Sequence, residues 1–286
     1  MALPVLAYYL LFHYQPMYGA IIAFKDFTPA GGILGSPWAG LKHFHTFFTG
    51  PYAFRLIRNT FLISFYELIF GFPAPLLLAI LLNEILATRY KRVIQTLSYL
   101  PHFISLVVIC ALIKNFTAST GLVNDIIAFF FGKKARSTLL QDPSNFRTIY
   151  VVSGIWQGVG WGSIIYLAAI SKIDQQLYEA AIIDGAGRFA RMVHVTLPGI
   201  LPTIIIMLIL RMGSLMSVGF EKVFLLYNTG IYETADVIST YVYRRGIIDT
   251  DWSFSAAVGL FNSIVNFILV VTANFISRKV SETSLW

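Results

Sequence analysis

The sequence predicts an all-α, polytopic membrane protein, a single domain over residues 1–286 with six transmembrane helices. Three observations carry this. The chain is 57% hydrophobic and 12% charged, about half the roughly 25% charge of an ordinary soluble domain. Its mean hydropathy is +0.71. Six apolar runs reach the ~20 residues that cross a bilayer.

Those runs are 2–24, 60–83, 94–114, 149–170, 199–220 and 254–277. The first opens without a basic leader and is longer than the apolar core of a signal peptide. It reads as a span, with an extension of the natural chain expected before it. The second holds Glu67 and the proline pair of "GFPAPLLLA". The third holds Cys110, the only cysteine, which rules out an intrachain disulfide and a Cys/His metal site. The fourth carries Gln157 between Trp156 and Trp161, and the fifth carries Arg211. In the sixth, Ser255, Gly259, Asn262 and Asn266 recur at helical steps and make one small and polar stripe.

The connections alternate. Residues 25–59, 115–148 and 221–253 are long, whereas 84–93, 171–198 and 278–286 are shorter. Arg89, Lys91, Arg92, Arg278 and Lys279 crowd the shorter set. An excess of Lys and Arg marks cytoplasmic loops, so both termini and residues 171–198 are expected inside. The net charge of +7 then reads as anchoring to anionic lipid rather than as nucleic-acid binding. The chain has no G-x-x-x-x-G-K-[ST], H-E-x-x-H or C-x-x-C, and no support for a membrane-embedded hydrolase.

Polar groups inside spans are costly. Glu67, Gln157, Arg211 and Asn262 all lie about 10–14 Å from the expected outer ends, at 1.5 Å rise per residue. Two readings fit this common layer together with Asn266: polar glue between helices, or a path for a sugar, with Trp156 and Trp161 as stacking faces. An unpaired Arg211 would suit a carboxylated sugar, because arginine forks to carboxylates through two hydrogen bonds.

One loop stands apart. "YEAAIIDGAGRFARMVHVTLPG" (178–199) carries a helix-forming stretch, a glycine stop at Gly185, then a second amphipathic piece running into the next span. From spacing alone it fits an interfacial elbow on the headgroups. It also resembles the EAA loop of binding-protein-dependent ABC importers: Glu179-Ala180-Ala181, Gly185, then Val195 and Leu197-Pro198, with Asp184 just before the glycine. Val195 stands where isoleucine is more usual. "GLKHFHTFF", "RNTFLIS", "LPHFISLVVICALI", "GLVNDII" and "GFEKVFLLYN…ETADVISTYVYRRG" are similar to sugar-importer permeases. The last region and the ending "ISRKVSETSLW" look closest to the branch for complex oligosaccharides, including acidic alginate.

The resemblance implies a type I importer permease in the bacterial inner membrane, with residues 171–198 as the coupling loop to an ATPase. It implies a second homologous permease, two subunits that bind ATP and Mg, an extracytoplasmic solute-binding protein docking on the long loops, and an oligosaccharide substrate. This chain would hold no cofactor and break no bond. An ion-driven carrier or channel, and a membrane scaffold, are the competing classes. The first would run without an ATPase; the second would move no solute.

Overall fold

The computed structural model describes residues 3–281 of the chain, with side chains for 3–279. Met1, Ala2 and the last five residues of "ISRKVSETSLW" lie outside the described residues. The described chain is helical, and its one strand-like feature is an isolated bridge between Lys25 and Trp38. The helices are α1 (residues 3–24), α2 (Lys42–Thr49), α3 (Ala53–Asn83), α4 (Thr88–Tyr99), α5 (Leu106–Thr117), α6 (Leu122–Phe131), α7 (Phe146–Ile170), α8 (Gln175–Ile183), α9 (Arg188–Met212), α10 (Phe220–Leu226), α11 (Ile238–Tyr243) and α12 (Trp252–Ser281), with shorter turns between. Five stretches are long and apolar enough to cross a membrane: α3, α5 with α6, α7, α9 and α12. The run predicted at 2–24 is helical from Leu3 to Phe24, but changes from α to π, back to α, and then to 3₁₀.

Three helices share one irregularity. π-turns at Leu10–Tyr14, Glu67–Gly71 and Met192–Thr196 each end two residues before a proline: Pro16, Pro73 and Pro198. The residue before each proline bonds five residues back: Gln15 to Leu10, Phe72 to Glu67 and Leu197 to Met192. Proline has no N–H and its ring crowds the preceding turn. The helix absorbs this by widening one turn rather than by breaking.

Two predicted spans differ in the structure. The run 94–114 is not one helix: α4 ends at Tyr99, a 3₁₀ turn covers Leu100–Phe103, and α5 starts at Leu106. Pro101 prevents continuation, and Ser105 restarts the helix by accepting the Val108 N–H at 3.5 Å. The bent segment lies close along α7, where a β-carbon on Gly160 would stand 2.1 Å from the Ser98 carbonyl oxygen. The run 199–220 ends early, because α9 stops at Met212. Residues 213–219 are irregular, with Leu215, Met216 and Val218 buried. Asn266 of α12 holds this break: its Oδ1 accepts the Met216 N–H at 2.8 Å, and its Nδ2 donates to Ser217 Oγ at 3.0 Å.

Candidate functional site: coupling loop and intramembrane polar groups

The loop 171–198 forms at one end of the bundle. Asp174 caps α8 by accepting the Gln176 N–H at 3.0 Å. Gly185 closes it with φ +78°, and Gly185 and Ala186 donate to Ile182 and Ala181 carbonyls at 3.0 and 2.8 Å. This is a Schellman stop, whose left-handed residue favours glycine. Arg188 then begins α9, which enters the bundle through its π-turn and Leu197-Pro198. The Tyr178 hydroxyl meets Thr196 Oγ1 at 2.9 Å and ties α8 to the base of α9. Beneath them, Ile173 and Ile200 pack with Ala79, Ile80, Tyr166 and Ile170.

The outward side of this loop is unsatisfied within the chain. Glu179, Ala180, Asp184 and Gly185 are exposed. Ile183 is 85% and Phe189 74% exposed. Glu84, Glu179, Arg188 and Arg191 line one cleft of about 570 Å³, and none of the four makes an ion pair among the described residues. Of the other named residues, Ala181 is half-buried, Leu197 packs at the base, and Pro198 stands exposed at the first turn of the last α segment of α9.

The predicted polar layer divides into separate places. Glu67, at the start of its π-turn, pairs with Arg211 at the end of α9. These two line a cavity of about 260 Å³ with Gly154 and Gly158 of α7. Lys222 is 7% exposed and donates to the Tyr150 carbonyl at 2.8 Å; a β-carbon on Gly154 would stand 3.2 Å from its Nζ and 3.9 Å from Glu67 Oε1. Arg211 is therefore not an unpaired guanidinium. Trp156 and Gln157 do not line this cavity. Trp161 stacks on His102 at 4.6 Å and 4°, at the bend between α4 and α5, so one ring face is already covered. Asn262 lines a different cavity of about 500 Å³ with Ser255, Gly259 and Tyr243, and its Oδ1 is buried without a partner. Asn266 is engaged at the break after α9. Among the described residues, no three His, Cys, Asp or Glu side chains converge as metal ligands would.

Sequence reasoning missed the most connected polar group, at the opposite end of the bundle. Asp236 is 0% exposed. Both of its oxygens take the Arg244 Nη2 at 2.7 Å, Arg55 approaches at 3.3 Å, and the Thr240 hydroxyl donates at 2.9 Å. Burial works against the Arg244 charge, but the bonds from Asp236 outweigh it and raise its pKa. Asn59 donates to the Glu233 and Asp236 carbonyls at 2.9 and 3.0 Å, and Thr60 Oγ1 accepts the Ile238 N–H at 3.0 Å. The segment "RNTFLIS" thus fastens "ETADVISTYVYRRG" directly. The signal was an acid followed directly by the apolar pair Val237-Ile238; its partners lie up to 181 residues away.

Several membrane-length apolar helices, some broken or π-widened, and a loop with exposed, unpaired charges at one end are the features of a membrane bundle rather than of a soluble enzyme. Residues 71–282 match the family described as "Binding-protein-dependent transport system inner membrane component". The chain is 47% identical to Protein LplB of Bacillus subtilis, over 99% of this chain and 89% of that protein. It is 46% identical to the polygalacturonan/rhamnogalacturonan transport system permease protein YteP of the same organism, over 100% and 89%. Among solved structures, a bacterial ABC transporter that imports the acidic polysaccharide alginate superposes with TM-score 0.90 at 42% identity, covering 98% of this chain and 94% of that one. The same type of transporter in complex with an alginate pentasaccharide-bound periplasmic protein superposes with TM-score 0.91, covering 99% and 94%. The chain belongs to the family of membrane components of binding-protein-dependent ABC importers. It is a multi-pass transport subunit rather than an enzyme, and the carrier and scaffold classes are set aside.

Proposed function

We propose that this chain is one half of the translocation pore of an importer for acidic oligosaccharides in the bacterial inner membrane. The observation that carries the substrate class is chemical. Two relatives that match nearly the whole chain, at 46% and 42% identity, handle polygalacturonan or rhamnogalacturonan in one case and alginate in the other; galacturonans and alginate are uronate polymers. A binding protein delivers the sugar to the end holding Asp236, which is the outer face, as the Lys/Arg distribution supports. A second permease completes the pore.

Two ATP- and Mg-binding subunits sit inside, and α8 docks on them. Glu179 accepts hydrogen bonds from the ATPase, Ala180 and Ala181 allow close approach, and Ile183 and Phe189 lose water on contact. Asp174 and Gly185 fix the ends of α8 and the Tyr178–Thr196 bond fixes its base, so displacement of α8 moves α9 and Arg211 with it. The Glu67–Arg211 pair, Trp156, Gln157 and Asn262 line or border the sugar path, while Trp161 and Asn266 hold its shape. The test is uptake by the complete transporter in proteoliposomes. Oligogalacturonate with its binding protein is expected to enter only with ATP. Uptake without ATP, or ATP-dependent uptake of neutral oligosaccharides alone, would contradict the proposal.

A further inference from the structure

We propose that Arg147 is a carboxylate-binding station at the mouth of a groove along α7, and that it favours acidic over neutral oligosaccharides. The inference rests on the function proposed above. The arginines at this end are not equivalent. Arg55 and Arg244 pair with Asp236, and Arg245 pairs with Asp249 and Asp251. Arg58 and Arg147 have no carboxylate partner among the described residues; Arg58 donates to the Glu233 main-chain carbonyl at 3.2 Å, whereas Arg147 faces a cavity. Its Nη2 donates to Asn59 Oδ1 at 2.9 Å, and its Nε is buried with no acceptor. A guanidinium carries five N–H donors, so this one keeps most of its donor capacity unused.

The surroundings suit a uronate ring. Arg147 lines a cavity of about 380 Å³ with Tyr66, Phe70 and Thr148. The two rings offer apolar faces for the C–H side of a sugar, and the threonine hydroxyl both donates and accepts. This cavity shares Val151 and Ile155 with the one that ends at Glu67 and Arg211. The two cavities adjoin along α7 through these side chains, one at its first turn and the other toward the middle of the bundle, and together they make the proposed groove. At the inner end Glu67 neutralises Arg211. Arg147 is the guanidinium on this groove that has no carboxylate of its own, and it stands where an incoming sugar meets the groove first.

The test uses the complete transporter in proteoliposomes with its binding protein, and compares oligogalacturonate with the same oligosaccharide partially methyl-esterified. Arg147→Gln is expected to lower uptake of the acid at least about tenfold, the scale of one lost charge-assisted hydrogen-bond pair, and to lower uptake of the ester far less. Arg147→Lys, which keeps the charge and loses the fork, is expected to fall between. Asn59→Ala removes the same internal hydrogen bond, together with those to the Glu233 and Asp236 carbonyls, but leaves the guanidinium; overall uptake is expected to fall while the acid-to-ester ratio stays that of the unaltered chain. Equal loss for acid and ester in Arg147→Gln, or no loss, overturns the role of Arg147 while leaving acidic transport standing. If the unaltered transporter moves neither sugar, the substrate class fails, and the proposal with it.

Discussion

The two ends of the bundle handle charge in opposite ways. At one end Asp236 is fully buried and meets Arg244, Arg55 and Thr240. At the other, Glu84, Glu179, Arg188 and Arg191 share a cleft without pairing, and Ile183 and Phe189 are bare. Both ends sit on apolar cores of similar make-up, so the difference does not come from composition. It comes from whether the partner of each polar group lies in the same chain. The Asp236 end completes itself and holds the 221–253 loop in one shape. The 171–198 end leaves Glu84, Glu179, Arg188 and Arg191 without ion-pair partners among the described residues, as the docking proposed above requires.

The sharpest way to break this comparison is to remove the buried carboxylate. Asp236→Ala leaves Arg244 and Arg55 close together with no counter-charge. Loss of one partner of a buried ion pair costs about 3–5 kcal/mol, so thermal unfolding in detergent should show a large drop or no folded protein. A change near zero would mean that the cluster is not structurally required. Next in size is Gly185→Ala at the coupling end. With φ at +78°, a β-carbon costs about 1–2 kcal/mol. Amide exchange across α8 should accelerate, while exchange across the Asp236 cluster stays unaltered.

The smallest effect is expected at Asp26. The Lys42 ammonium, bonded to its carboxylate at 2.9 Å, holds Asp26 below the usual carboxylate range, and His43 adds to this. The folded value lies below the ordinary 3.8, so the contribution is present above that pH and is lost as pH falls through the lowered value. The pair is exposed and screened by salt. Asp26→Asn should therefore alter exchange around residues 25–45 slightly at neutral pH and not at all in strong acid.

Much of this was legible in the sequence. The helix α8, its glycine stop and the entry of α9 through Leu197-Pro198 follow from local rules, because each depends on residues within a turn or two. Glu67 and Arg211 were legible as charges at matching depth, but that they pair with each other rather than leaving Arg211 free is a contact between α3 and α9 that depth alone does not fix. The bend in 94–114 and the early end of 199–220 were not. Both segments are apolar on average, and a hydropathy average does not register Pro101 or the run Gly213–Gly219. The Asp236 cluster was hidden for another reason: its partners Arg55 and Asn59 lie 181 and 177 positions away, and no local pattern joins them.

The proposed docking of α8 on an ATP-binding subunit rests on the contrast between an end whose charges are unpaired and an end that pairs its own. Its most direct test is a pull-down of the tagged chain from its native membrane beside Glu179→Lys, with the unfolding temperature of both recorded. Glu179 is exposed and makes no ion pair, so the substitution should shift stability by no more than about 0.5 kcal/mol. The account predicts that the unaltered chain brings down an ATP-binding subunit and a second permease, and that Glu179→Lys loses the ATP-binding subunit alone. An ATP-binding subunit that stays bound to Glu179→Lys, or its release only together with unfolding of the chain, would contradict the account.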